Sequence, residues 1–277
     1  MYKICYPEIP NMGDLLNKNM LEELFHIQVE NSSIYQANMT AIGSGMSDNL
    51  FSNNKKKRIM QMLYRPFMNR EHHFWGTGFI SYAKGPDNPF LFCKNIIHSL
   101  RGEMTKKRVE VIMGKELDIP LGDGGLLADR WVTESVEKNY RIGIIPHFRE
   151  KDHPVIAEMM SDYSDAVLID LGRNPKQVIK DIAACETIIS SSLHGLIIAD
   201  SFHIPNIHMV LYPFGERIIG DGYKFADYYS AFGLQDNYVN AVKREWPSCT
   251  EIEQRYQITY EMVEKKKDQI MDVFPVL

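Results

Sequence analysis

The stretch ISSSLHGLIIADSF, Ile189 to Phe202, sets His194 between three serines and a glycine, ahead of a solid apolar run. Imidazole titrates near neutral pH, so it can carry a charge and hand over a proton. Serine hydroxyls add hydrogen-bond donors. If the apolar run is a helix, Ser191, Ser192 and His194 gather at its start. The first backbone N–H groups of a helix are unpaired and its dipole favours anions. The chemistry this spacing could do is anion binding beside a built-in acid. The bland alternative is a serine that caps the helix and a histidine that packs against a neighbour. The residues alone leave both open.

A second group lies upstream. IGIIPHFREKDH delivers His147 and Arg149 after an apolar run, with Lys151 and His153 nearby, and Arg173 follows LIDLG. The planar fork of arginine suits carboxylate and phosphate. Near the start, IPNMGDLLNKNML places Asn11, Gly13 and Asp14 in the turn before a helix. There Asp14 is either a cap or a functional acid. FWGTGF brings Trp75, HSLRG brings Arg101, and PLGDGGLL reads as a flexible loop carrying Asp123. Trp75 either stacks on a sugar or fills core.

Several chemistries drop out. The chain has no GxxxxGK[ST], GxGxxG, HExxH, GxSxG or DxD motif. His72 and His73 are adjacent, a poor arrangement for two ligands of one metal, so no metal site is expected and activity should survive EDTA. The net charge of −5 does not suit a nucleic-acid binder. Cys5, Cys93, Cys185 and Cys249 are scattered, without CxxC, so neither a disulfide framework nor a zinc ribbon is expected. The N-terminus lacks the apolar core of a signal peptide, and no stretch approaches 18 apolar residues. The expectation is a soluble cytoplasmic protein.

These residues need elements to position them. Of the 277 residues 44% are hydrophobic, enough for a sizeable core. Short apolar runs alternate with helical patterns. YKICY, HIQVE, NMTAIGSG, HHFWGTGFI and part of FLFCKNIIHSLRG read as strands, with helices in GDLLNKNMLEELF and EMTKKRVEVIM. A polar, helix-like segment, RWVTESVEKNY, marks a boundary. RIGIIPH, AVLIDLG, ETIISSS and PNIHMV then alternate with helices around HPVIAEMMSDY, PKQVIKDIAAC and HGLIIADSF. This alternation predicts an α/β protein with two Rossmann-like domains, each a parallel sheet covered on both faces, facing across a cleft. The expected division is 1–135, 136–245, and a C-terminal segment 246–277. In the last, one long amphipathic helix packs across the domains, with Lys265–Lys267 on its solvated face. KKKR, Lys55 to Arg58, reads as a surface loop. Ligands of open α/β sheets sit beyond the C-terminal strand ends, where the residues above fall.

The same residues carry a resemblance. ISSSLHGLIIADSFHIPN, followed by GYKFADYYSAFG, resembles the signature region of polysaccharide pyruvyl transferases. There a strand and a Ser/Arg-rich turn precede LHG at the start of an apolar helix, and a KF.DYY segment follows. NMGDLLNKNMLEEL, SLRGEMTKKRVE and PLGDGGLLAD fit in order, so the resemblance runs from about residue 11 to residue 233. Some relatives carry arginine where this chain has Ser192, which makes Arg149 or Arg173 the candidate for that grip.

The resemblance implies a fold similar to GT-B glycosyltransferases and phosphoenolpyruvate as donor substrate, with no cofactor. The product would be a pyruvate ketal on a sugar of a capsular or exopolysaccharide repeat unit. The acceptor would be a sugar or lipid-linked oligosaccharide, met at the inner face of the membrane with at most peripheral association. On that basis His194 is the first choice of acid and His147 the second. Arg149 would hold carboxylate or phosphate. Asp14, a possible base, and Arg101 would face the acceptor. Ser191, Ser192, Arg173, Asn11 and Lys224 complete the expected substrate contacts. Two rivals remain: a GT-B nucleotide-sugar glycosyltransferase, and a non-catalytic glycan- or protein-binding descendant.

Overall fold

The computed structural model describes residues 1–34, 36–46, 56, 59–60, 63, 71–82, 94–212 and 221–277. The expected KKKR loop, apart from Lys56, the start of FLFCK and Cys93 lie outside them.

Two five-stranded parallel sheets form the frame. The first holds β1 (Tyr2–Ile4), β2 (Val29–Asn31), β3 (Met39–Thr40), β4 (His72–Phe74) and β5 (Asn95–Ile97), in the order β2-β1-β3-β4-β5. The strands are short, and the parallel bridges Gly43–Thr77, Thr77–Leu100 and Leu100–Leu121 continue the pairing past their ends. The second holds β6 (Tyr140–Ile145), β7 (Ala166–Leu168), β8 (Cys185–Ser190), β9 (Asn206–Val210) and β10 (Tyr238–Asn240), in the order β10-β9-β8-β6-β7. Counted within itself, each sheet runs 2-1-3-4-5. Strand order therefore reverses beside β1 and β3 in one sheet and beside β6 and β8 in the other. Such switch points are where open α/β sheets bind ligands.

Among the described residues helices make the crossovers from β1 to β2 and throughout the second sheet, whereas β2 reaches β3 without one. The helices are α1 (Met12–Phe25), α2 (Glu103–Met113), α3 (Ala128–Trp131), α4 (Pro154–Asp162), α5 (Pro175–Ala183), α6 (Leu193–Ser201) and α7 (Tyr223–Ser230), followed by α8 (Cys249–Arg255) and α9 (Tyr260–Asp272). Local chemistry sets their ends. Proline opens α4 and α5, and the side chains of His153 and Asn174 accept from the first turn. Left-handed residues, His26 and Gly114, close α1 and α2. Helix α6 has no polar face, and all its residues but His194 are buried. It is a core helix, as its apolar run from Leu196 to Ala199 demands, and even Asp200 and Ser201 are buried. One apolar cluster joins Leu16 and Met20 of α1 and Leu126 and Leu127 to Ile182 of α5, Leu196 of α6, Tyr228 of α7 and Ile270 of α9. The core thus runs between the helices of both sheets.

Three expectations change. Helix beyond Trp131 does not form in RWVTESVEKNY. The C-terminal segment is two helices, one ending at Arg255 and the next opening at the Thr259 cap, and they pack in different clusters, Ile252 of the first in one and Ile270 of the second in another. Lys267 is not solvated. It is fully buried, and its Nζ donates to Asp129 at 2.8 Å, to Glu264 at 2.5 Å and to the Ser201 carbonyl at 2.7 Å. Burial of an ammonium is tolerable only with such partners.

Candidate functional site

Both switch points open into one pocket of about 220 Å³. Pro7, Ile9, Asn11 and Asp14 line it from the turn after β1, and Gly43 and Ser44 from the turn after β3. His147, Phe148 and Arg149 come from the turn after β6, Ser192, Leu193 and His194 from the turn after β8. Ile80 and Lys224 complete the wall. Two helix starts, those of α1 and α6, face this space.

His194 lies in the first turn of α6, and missing side chains make its room. A methyl on Gly13 would collide with Nδ1 of the ring. One on Gly43, whose φ of +95° already favours glycine, would stand 3.5 Å from Cε1, and one on Gly125 would stand 3.8 Å from Cδ2. The Nε2 atom is buried and has no hydrogen-bond partner. Burial first, then the positive fields of Lys224, Arg101 and His147, push the ring down to about 3. His194 is therefore neutral at pH 7.

Asp14 sits in the first turn of α1, but the cap position belongs to Asn11. Asn11 Nδ2 donates to Asp14 Oδ2 at 2.6 Å. Burial raises the carboxyl above its usual range, against the opposing pull of that hydrogen bond and of Lys224. Arg149 is exposed, and its guanidinium lies 5.3 Å from the Phe148 ring centre. No salt bridge ties it to a described residue, so it is available to a ligand. Ser192 occupies the α6 cap position without a capping bond from its side chain.

The other expected residues serve the frame. The Ser191 hydroxyl accepts the His147 N–H at 2.9 Å and donates to Glu150 at 2.5 Å, which pins the turn bearing His147 and Arg149. Arg101 does not face an acceptor. It is fully buried, donating from Nε to Asp227 at 2.9 Å, from Nη1 to Ser44 Oγ at 2.9 Å and from Nη2 to the Phe79 carbonyl at 2.5 Å. It shapes the pocket floor through Ser44. Arg173 is not in the pocket either; its Nη1 is paired with Asp181 at 2.6 Å, on the outside of α5. Trp75 is core, with Nε1 bonded to the Ile270 carbonyl at 2.7 Å.

Some features escaped the sequence reading. Asp123 is not on a flexible loop. It caps the 3-10 turn Gly124–Leu127, with Oδ1 accepting the Gly125 N–H at 2.9 Å, and is fully buried. Ser44 and Phe148 also line the pocket. The small-residue end of NMTAIGSG was the available signal for Ser44. Among the described residues no group of three or more His, Cys, Asp or Glu side chains could hold a metal, and Cys185 and Cys249 are free thiols.

Comparison with known proteins adds a family match over part of this region. The family model "Polysaccharide pyruvyl transferase" matches residues 122–211, the span carrying Asp123, His147, Arg149 and His194. Uncharacterized protein L143 of Acanthamoeba polyphaga mimivirus is 30% identical over 234 residues, covering 81% of this chain and 72% of that one. Succinoglycan biosynthesis protein ExoV of Rhizobium meliloti (strain 1021) is 33% identical over 112 residues, covering 39% of this chain and 33% of its own length. With the family's span falling on the pocket and a succinoglycan biosynthesis protein matching part of the chain, the chain belongs to the polysaccharide pyruvyl transferase family and is an enzyme of that family.

Proposed function

We propose that the pocket binds phosphoenolpyruvate and that the enzyme transfers its pyruvyl group to a sugar of a cell-surface polysaccharide repeat unit, forming a ketal. One observation carries this reading. The switch points of both sheets and the starts of two helices converge on a small pocket holding Arg149, Lys224, His147 and His194. Phosphoenolpyruvate has a carboxylate and a phosphate and needs two cradles rich in cations or N–H groups. The α6 start with Ser192 offers one, Arg149 and Lys224 the other.

The chemistry then needs a proton at the donor methylene carbon. His194 supplies it. A bound anion offsets the fields of Lys224 and His147, which permits the ring to charge. Protonation converts the methylene to a methyl and makes C2 electrophilic. One sugar hydroxyl adds to C2 and loses its proton to Asp14. A second hydroxyl attacks C2, the C2–O bond to phosphate breaks, the hydroxyl's proton leaves with the phosphate, and the ketal closes. We read the two sheets as halves of a GT-B-like arrangement, with the acceptor entering from the first. The acceptor is read as a lipid-linked repeat unit met at the inner membrane face. No helix among the described residues is long and apolar enough to cross a membrane.

Thermal unfolding tests the donor. A ligand that binds only the native state raises the melting temperature. Phosphoenolpyruvate should do so, and UDP- or GDP-sugars should not. The reverse pattern would identify a nucleotide-sugar glycosyltransferase. Turnover with a repeat-unit acceptor should release one phosphate per ketal formed.

A further inference from the structure

Behind His194 lies a second group that the steps above do not use. Asp123 is fully buried, and its Oδ2 has no hydrogen-bond partner. His194 Nε2 is likewise buried and unpartnered. Two glycines separate them. A methyl on Gly125 would stand 3.3 Å from Asp123 Oδ1 and 3.8 Å from His194 Cδ2. One on Gly43 would stand 3.7 Å from His194 Nε2, and the Gly43 amide faces the Asp123 carboxylate. Where Gly125 lacks a side chain, the carboxylate and the imidazole stand on either side of one small gap.

Each orphan is costly by itself, because a buried polar atom without a partner forfeits its hydration. Together they have one explanation. We propose that Asp123 is the buried counter-ion of His194: a positioning residue that receives Nε2–H and stabilises the imidazolium while donor occupies the pocket. The inference rests on the phosphoenolpyruvate reading above.

The charges around the ring fit. Lys224 from α7, Arg101 from the floor and His147 from the turn after β6 all oppose a proton on His194. Two acids are near. Asp14, from α1, is engaged with Asn11 on the pocket side. Asp123, from the 3-10 turn, stands behind the ring, where a bound donor cannot displace it. Burial holds Asp123 up to about 6, against Arg101 and the Gly125 and Gly43 amides and with a smaller push from Asp227. At neutral pH the carboxylate is therefore mostly ionised while the ring is neutral. When an anion enters, the ring takes a proton from solvent and passes it to the methylene carbon. It then returns to neutral, and Asp123 keeps its charge throughout. A carboxylate that fixes an imidazole's tautomer and steadies its charged form is a known device.

The test combines NMR with kinetics. In wild type with phosphoenolpyruvate bound, ¹⁵N-labelled His194 should be protonated on both nitrogens at pH 7. The ¹³C-carboxyl midpoint of Asp123 should fall by at least one pH unit on binding. Asp123→Asn keeps an acceptor for the Gly125 N–H but carries no charge. It should lower kcat about 10- to 100-fold with KM within about threefold. It should also move the high-pH fall of kcat to lower pH by at least one unit. An unmoved limb, or an Asp123 midpoint blind to the ligand, overturns the inference while leaving the donor reading intact. Failure of wild type to bind phosphoenolpyruvate removes both. The wild-type spectra decide the matter if Asp123→Asn fails to fold.

Discussion

In the proposed reaction His194 is the acid, and its environment makes two predictions. As the proton donor, its loss in His194→Ala or His194→Gln should cost turnover about 100- to 10,000-fold, since general acid catalysis is worth that much. Recovery of activity by Gln would instead assign the ring an orienting role, and near-normal turnover in the Ala variant would refute the acid. The second prediction concerns stability. The folded ring is held down to about 3 from the usual 6.5, so the unfolded chain takes up a proton that the folded one refuses. The stability this depressed group contributes is complete above pH 6.5 and is lost as pH falls toward 3. The slope reaches about 1.4 kcal/mol per pH unit. Urea unfolding at pH 7 and pH 5 should show wild type losing stability relative to His194→Gln. Asp123 and Asp200, both raised to about 6, act with the opposite sign, stabilising below pH 3.8 and losing that as pH rises through 6. They are present in both proteins. Arg149→Ala should weaken phosphoenolpyruvate binding by about 1.5–3 kcal/mol, the range for a lost charge-assisted bond, and leave the melting temperature unchanged. Calorimetric titration and thermal unfolding would separate the two effects.

Elements explain why two arginines near one pocket should behave differently. Arg101 lies in the turn that continues the first sheet, and Asp227 lies in α7. The Asp227 carboxylate also takes the Thr105 N–H and hydroxyl, both at 2.7 Å, at the start of α2. One buried pair thus locks a strand end to two helices. Arg101→Ala should cost about 3–5 kcal/mol of stability, because it strands a buried carboxylate. Denaturant unfolding should show that loss, with none in Arg149→Ala. Glycines act at this scale too. Gly13→Ala should displace the His194 ring and lose turnover much as His194→Ala does, although alanine favours the α1 helix. Normal kinetics in Gly13→Ala would mean that the ring does not work from this position.

At the scale of the whole molecule, α9 ties the two sheets together. Its Ile270 carbonyl accepts from Trp75 beneath the first sheet, and its Lys267 binds Ser201 at the end of α6. Lys267 also neutralises Asp129 and Glu264. Lys267→Ala should cost several kcal/mol, about 3–5 by analogy with other broken buried pairs, and it should lower donor affinity as well, since α6 carries the pocket's His194. Unchanged stability would show that the ammonium is hydrated after all. Tyr2 Oη donates to the Pro275 carbonyl at 2.8 Å, so the last residues are anchored on the first strand.

How much of this was legible in the sequence depends on the range of the interaction concerned. Alternating apolar runs and helix signals determined the α/β class, because the period of a segment is a local property. The serine turn, LHG and the Arg149 cluster marked strand ends, so half of the pocket lining, counting Asn11, Asp14 and Lys224, could be named beforehand. Tertiary structure decided the rest. Arg101, Arg149 and Arg173 look alike in sequence; only the fold buries one against Asp227, pairs one with Asp181 and leaves one facing the pocket. Asp123 reads as loop in GDGG, yet packing drives it to full burial behind His194. The charge of His194 is likewise not written in LHG. It is set by burial and by Lys224, Arg101 and His147, residues as far as 93 positions away that only folding brings within range. Desolvation and Coulomb fields depend on distance in space, which local pattern does not encode.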